Sequence, residues 1–254
     1  EEFSSQLEEL VKTQKKVMVW LNDPAHNPTG LSMSEQGRIA CLETFVDSAL
    51  NNENVGHTLL IDSAYSLYAD EPFAWADTIL NEIENGMMWP DNLLICVAVS
   101  LSKSHTIYGL RTGALVSMHP EKEVTDRLDT VMSVTGRQTW SATPRVAQFC
   151  VSEMHSSEEG GKAWSDERDR LKDLLDNRRN ILNSECEKLG VAINPTMDGF
   201  FAWIESSDPI AVAEKCAEND VFLVPLNGGV RIGLCALPTD SIPKVAMALS
   251  KAMS

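Results

Sequence analysis

Short apolar runs set apart by helical stretches constrain this chain more than any other feature. They fall at residues 17–21, 58–61, 93–99 and 114–118. The first ends at Asn22-Asp23-Pro24, and a helical pattern with Ile39, Leu42, Phe45, Val46 and Ala49 on one face follows it. Continuous apolar runs separated by helices are the pattern of parallel strands, whose covering helices leave no polar face. The sequence therefore predicts an α/β fold with a mostly parallel sheet buried on both faces. Ser32-x-x-Glu35 is a capping box that predicts the start of the helix after the first strand. Phe3, Leu7, Leu10 and Val11 predict an earlier helix over 1–12.

Beyond Met118 the texture changes. Helical patterns cover 121–135 and 143–155, and a long charged one covers 161–188 with Leu171, Leu174, Leu175, Ile181, Leu182 and Cys186 on one stripe. Strand 200–204, helix 209–218, strands 221–225 and 230–234, and helix 240–252 complete the expected order. This divides the chain into a large α/β domain over 1–156 and, over 157–254, a connecting helix with a small α+β domain.

The charge narrows the function classes. Twenty-one Lys and Arg against 37 Asp and Glu give a net charge of −16 in 254 residues. Nucleic-acid binding needs clustered cations to neutralise phosphates, so no nucleic-acid partner is expected; an anionic membrane surface is disfavoured likewise. The longest apolar run, 93–101, is about half of the roughly 20 residues that span a bilayer and contains Ser100. Six cysteines without a CxxC pair and five scattered histidines predict reduced thiols and no metal site. The acidic opening Glu1-Glu2-Phe3 has no signal-peptide pattern, so a cytoplasmic location is expected.

Four segments follow predicted strands, where α/β sheets place their ligands. They are Asn27-Pro28-Thr29-Gly30, Asp62-Ser63-Ala64-Tyr65, Ser100-Leu101-Ser102-Lys103, and Arg111 eight residues beyond that lysine. Alone, each is ordinary: a turn, a helix cap, a solvated charge. In this order the set resembles the fold-type I pyridoxal-phosphate (PLP) enzymes, specifically class I/II aminotransferases of the aspartate and aromatic amino acid kind. The resemblance extends from about Val17 to the C-terminus.

That resemblance implies a PLP-transferase-like large domain and a role for each residue. Lys103 matches the lysine that forms the aldimine with the cofactor's aldehyde and then moves the substrate proton, work suited to an amine. Asp62 matches the carboxylate that keeps the pyridine nitrogen protonated, so that the ring serves as an electron sink. Tyr65 and Asn27 match the donors to the phenolic oxygen. Ser100, Ser102 and Arg111 match phosphate contacts, where a guanidinium grips bidentately. Arg231, in Gly-Val-Arg-Ile-Gly, matches the clamp for the substrate α-carboxylate. Arg137, in Arg-Gln-Thr-Trp-Ser, falls where dicarboxylate-using members carry an arginine that reaches across a homodimer.

The family also carries, before the position of Val17, a glycine-rich turn for the phosphate and an aromatic residue that stacks on the cofactor. Neither is found here, so the chain resembles the C-terminal two-thirds of an aminotransferase. Weak PLP binding, or none, is expected of such a fragment, and unusual chain association or a rearranged sheet edge. The function implied is transfer of an amino group between an amino acid (aspartate, glutamate or aromatic) and a 2-oxo acid. The alternatives are a C–S lyase of the same fold and a non-catalytic dimerising remnant.

Overall fold

A computed structural model of the chain describes residues 2–194 and 197–253; Glu1, where the first helix was expected to open, lies outside them. The chain divides into two compact units, one of Glu1–Asp23, Met33–Ala64 and Phe73–Gly161, the other of Pro24–Ser32, Tyr65–Pro72 and Lys162–Ser254.

The first unit contains α1 (Glu2–Thr13), β1 (Lys16–Asn22), α2 (Glu35–Asn51), β2 (Gly56–Asp62), α3 (Ala74–Glu84), β3 (Leu93–Ser100), α4 (Leu101–Ser104), β4 (Gly113–Met118), α5 (Lys122–Thr139) and α6 (Arg145–Met154). Its four strands stand in the order β1-β2-β3-β4. β1 pairs with β2 and β2 with β3 in parallel, through α2 and α3 respectively. The expected α/β class with a mostly parallel sheet is found. Residues 74–84 form an additional helix, with Ala74, Trp75, Thr78 and Ile79 as its buried positions.

Two expectations about this sheet are corrected. β4 runs antiparallel to β3. The connection of 101–112 holds only α4 and a short 3₁₀ turn at Tyr108–Leu110, so no crossover helix returns the chain to the far end of the sheet, as a parallel neighbour requires. Nor is β1 covered on both faces. Leu7, Val11, Cys41, Leu42, Phe45, Val46, Trp75 and Ile79 of α1, α2 and α3 pack with Val17, Leu59, Ile61, Leu93 and Ile95 in one core, whereas Met18 and Trp20 on the opposite face of β1 are 62% and 65% exposed. Strands laid down in one direction with crossovers of one hand put both helices on the same face.

The start of α2 is also shifted. Its N-cap is Ser34, whose hydroxyl accepts from the Gly37 N–H; Ser32 of the expected capping box instead accepts from Ala25 N–H and donates to Asp198 at 2.6 Å.

The second unit holds most of α7 (Glu158–Lys188), then β5 (Phe201–Glu205), α8 (Pro209–Ala217), β6 (Val224–Leu226), β7 (Gly229–Gly233) and α9 (Ile242–Ala252). The three strands form an antiparallel sheet in the order β5-β7-β6. Asp208 caps α8 by accepting from Ala211 N–H, with Pro209 at the first turn. The strand expected at 221–225 begins only at Val224: Val221 N–H closes the end of α8 on Cys216 O, with Asp220 left-handed at φ 55°. It runs on to Leu226, where Gly228 at φ 86° supplies the conformation of a tight hairpin turn into β7.

Candidate functional site

In the first unit, the parallel register aligns the strand ends that carry the candidate residues. Asn22 is opposite Asp62, and Asp62 opposite Ala98. Asp62 thus terminates β2 beside the last turn of β3, which runs through Ser100 directly into α4 with Ser102 and Lys103. Carboxylate and lysine stand at the C-terminal ends of adjacent parallel strands, the side on which open α/β sheets bind ligands.

Each group there is held by specific partners. Asp62 accepts from Ala64 N–H at 3.1 Å through Oδ1 and from the Trp20 indole Nε1 at 3.3 Å through Oδ2. Its backbone carbonyl accepts from Asn22 Nδ2 at 2.9 Å. Ser100 occupies the N-cap position of α4 without a side-chain capping bond, and Ser102 is buried. The Lys103 ammonium lies 5.1 Å from the centroid of the Tyr108 ring. Arg111 has the left-handed backbone at φ 49°, ψ 53°, a conformation that costs a non-glycine residue free energy and that collects at functional sites. Its Nη1 donates to Tyr108 O at 2.7 Å and to Ser102 Oγ at 3.3 Å, so the guanidinium and the serine on α4 form one donor group. Two residues on, a Cβ at Gly113 would collide with Val99 O; the glycine permits the close β3–β4 approach at Ser100 and Gly113.

Behind Lys103, Ser104 Oγ and His105 Nδ1 are 2.8 Å apart, and His105 Nε2 is 3.1 Å from His155 Nε2 on the residue after α6. Burial lowers the His105 pKa, and the neighbouring His155 lowers it further. Arg137, in the last turn of α5, is exposed and takes no hydrogen bond or ion pair among the described residues.

In the second unit, Asn27, Tyr65 and Arg231 are the candidates. Arg231 on β7 donates from Nη1 to Asn27 Oδ1 at 3.0 Å, which fixes Oδ1 as the acceptor end of the amide and Nδ2 as its donor end. The Arg231 guanidinium carbon is 4.5 Å from the centroid of the Phe201 ring. Tyr65 is buried, and meets Phe200 and Phe201 edge-on at 5.2 and 5.7 Å. Burial raises the Cys235 thiol pKa, against the opposing charges of Arg178 and Arg231. Among the described residues, no group of three or more His, Cys, Asp or Glu is placed to hold a metal ion, and no helix is long and apolar enough to cross a membrane.

Trp20, Tyr108 and Phe201 escaped sequence reasoning. Trp20 reads as one more apolar strand residue until the register of β1 against β2 puts its indole on Asp62. Phe201 reads as core.

Residues 2–249 match the family model described as aminotransferase class I and II. The chain is 25% identical, over 98% of its own length, to an aromatic-amino-acid aminotransferase of Paracoccus denitrificans, and 27% identical, again over 98%, to the cytoplasmic aspartate aminotransferase of Gallus gallus. It covers 60% and 57% of those two proteins. Among solved structures, an aminotransferase from Anaerococcus prevotii superposes with a TM-score of 0.89 at 25% identity, over 99% of this chain and 59% of that one. An aromatic-amino-acid aminotransferase of Burkholderia pseudomallei, solved covalently bound to pyridoxal phosphate, shares the fold at 22% identity and a TM-score of 0.78, over 99% of this chain and 60% of that one.

Proposed function

The chain belongs to the class I and II aminotransferase family, and on that premise we propose that it carries the cofactor and substrate residues of a PLP-dependent aminotransferase acting between an amino acid (aspartate, glutamate or aromatic) and a 2-oxo acid. The observation that carries this reading is the pairing of Asp62 and Lys103 at adjacent strand ends with the Arg111–Ser102 donor group attached to the same short helix.

The donor set fits PLP. The ring nitrogen needs an anion, which Asp62 supplies with each oxygen already oriented by a donor. The phosphate needs a dianion receptor, for which Arg111, Ser102 and the uncapped Ser100 hydroxyl are suited. When bound, PLP supplies the electron sink for negative charge at the substrate Cα. The residues do the rest. Asp62 holds the proton on the ring nitrogen. Lys103 Nζ would hold the cofactor's aldehyde carbon, and its amine is suited to move the Cα proton. By the family resemblance, the Tyr65 hydroxyl and Asn27 Nδ2 would donate to the phenolic oxygen; the Arg231 bond to Oδ1 leaves Nδ2 as the donor end. Arg231 grips the α-carboxylate with its remaining N–H groups. Arg137, exposed and unengaged among the described residues, serves the distal carboxylate of a dicarboxylic substrate in a homodimer.

The half-reaction tests this. At PLP concentrations high enough to offset the weak binding expected of the fragment, L-glutamate is expected to yield 2-oxoglutarate and the amine form of the cofactor in equal amounts, and Lys103→Ala is expected to yield neither. Ammonia release without the amine form contradicts transamination and supports elimination.

A further inference from the structure

We propose that Phe201 is the positioning residue that aims the Arg231 guanidinium at a carboxylate. The inference rests on the reading of Arg231 as the carboxylate clamp and adds a residue on which that clamp depends. Phe201 is 9% exposed, so its ring is fixed by packing. The Arg231 guanidinium lies over it, with Cζ 4.5 Å from the ring centroid, within the range of cation–π attraction. Register explains why the face is open. Trp203 is opposite Arg231 on the β5–β7 pair, which puts Phe201 diagonally across from Arg231 and directly opposite Gly233. With no side chain at Gly233, nothing directly across the strand pair competes with the arginine for the ring.

Stacking leaves a guanidinium's donors pointing outward in its own plane, the geometry a carboxylate fork requires. One of those donors, on Nη1, is committed to Asn27 Oδ1. Another, Nε, is buried with no hydrogen-bond partner among the described residues. A buried donor left unpaired is costly, so Nε is held in place by packing and the remaining Nη donors are the ones left for a carboxylate.

Phe201 is itself held from behind. Its carbonyl accepts from Arg179 Nη1 at 3.1 Å, while Arg179 Nη2 donates to Gly199 O at 2.6 Å. Arg179, 3% exposed on α7, thereby fixes the backbone of the turn into β5. Tyr65 meets the same ring edge-on. Phe201 is therefore the surface on which the clamp and the proposed phenolate donor are both set.

The test is carboxylate binding by the 254-residue chain, with succinate as a probe that has no amino group to react. Titration is followed at the Arg231 Nε–Hε resonance and by calorimetry, in the unaltered chain and in Phe201→Leu, Phe201→Tyr and Arg231→Lys. Loss of the stack is expected to weaken succinate binding about fivefold in Phe201→Leu; Phe201→Tyr, which keeps a ring, is expected to bind within about twofold of the unaltered chain. Phe201→Leu binding as the unaltered chain does, while Arg231→Lys loses affinity, would overturn the role of Phe201 and leave the clamp standing. Arg231→Lys binding like the unaltered chain, or no binding by the unaltered chain, overturns the clamp and this proposal with it. A reading independent of variants is available in the unaltered chain. The Arg231 Hε is expected upfield of the other arginines by ring current and slow to exchange; an Hε at the exposed-arginine position in fast exchange contradicts the stack.

Discussion

His57 shows how a single buried side chain ties stability to pH. It is 1% exposed, with Nδ1 2.8 Å from Val55 O and Nε2 3.0 Å from Ser48 Oγ. The carbonyl requires the proton on Nδ1, so the serine hydroxyl donates to Nε2 in the neutral ring. Burial lowers the folded-state pKa below the ordinary 6.5, only in part opposed by the Val55 carbonyl. The unfolded chain therefore binds more protons in the window beneath 6.5, and the contribution of His57 is whole above that value and lost as pH falls through the lowered one. Urea denaturation is expected to give a lower unfolding free energy at pH 5 than at pH 7.5, with a smaller difference in His57→Gln. An unchanged slope in the variant would assign the effect elsewhere, His105 being the next candidate since burial and His155 lower it too. At this scale the sequence was legible where chemistry is carried by residue type in a fixed order: Lys103, Asp62, Arg111 and Asn27 could all be singled out. Trp20, Phe201 and Arg179 could not, because their roles depend on contacts across 42, 30 and 22 residues of chain.

Among the elements, α2 distinguishes two serines that the sequence presents alike. Ser34 caps the helix through Gly37 N–H, and Ser32 belongs to a bond with Asp198, itself 4% exposed, that also takes the Asp70 N–H. Ser34→Ala is expected to cost about 0.5–2 kcal/mol of stability, read as a lower urea midpoint at constant slope. A neutral Ser34→Ala would return the cap to Ser32. The periodicity of α2 was plain, but its first residue was not, since Ser-x-x-Glu and Ser-x-x-Gly patterns overlap within three positions and only the fold shows where Ser32 is otherwise engaged. β4 is a parallel case. Its apolar composition predicted a strand, and composition carries no direction; the absence of a crossover helix in 101–112 was the available sign that it turns back on β3. Leu115 and Val116 point to opposite faces of β4, and their exposure of 43% and 49% shows this edge strand uncovered on both.

Over the whole molecule, the chain spans about three fifths of the length of the relatives it matches, and within that span both units carry residues of the proposed chemistry. The net charge of −16 sets arginines against the prevailing sign: Arg111 bonded to Ser102, Arg231 stacked on Phe201 and bonded to Asn27. Lys103 is the point of attachment on which the proposed chemistry depends. Incubation of the chain with excess PLP, borohydride reduction and peptide mapping by mass spectrometry measures this. The label is expected on the peptide containing Lys103 and is expected to disappear from it in Lys103→Ala without appearing on another lysine. A label spread evenly over the lysines of the chain, or unchanged in amount in Lys103→Ala, would contradict it.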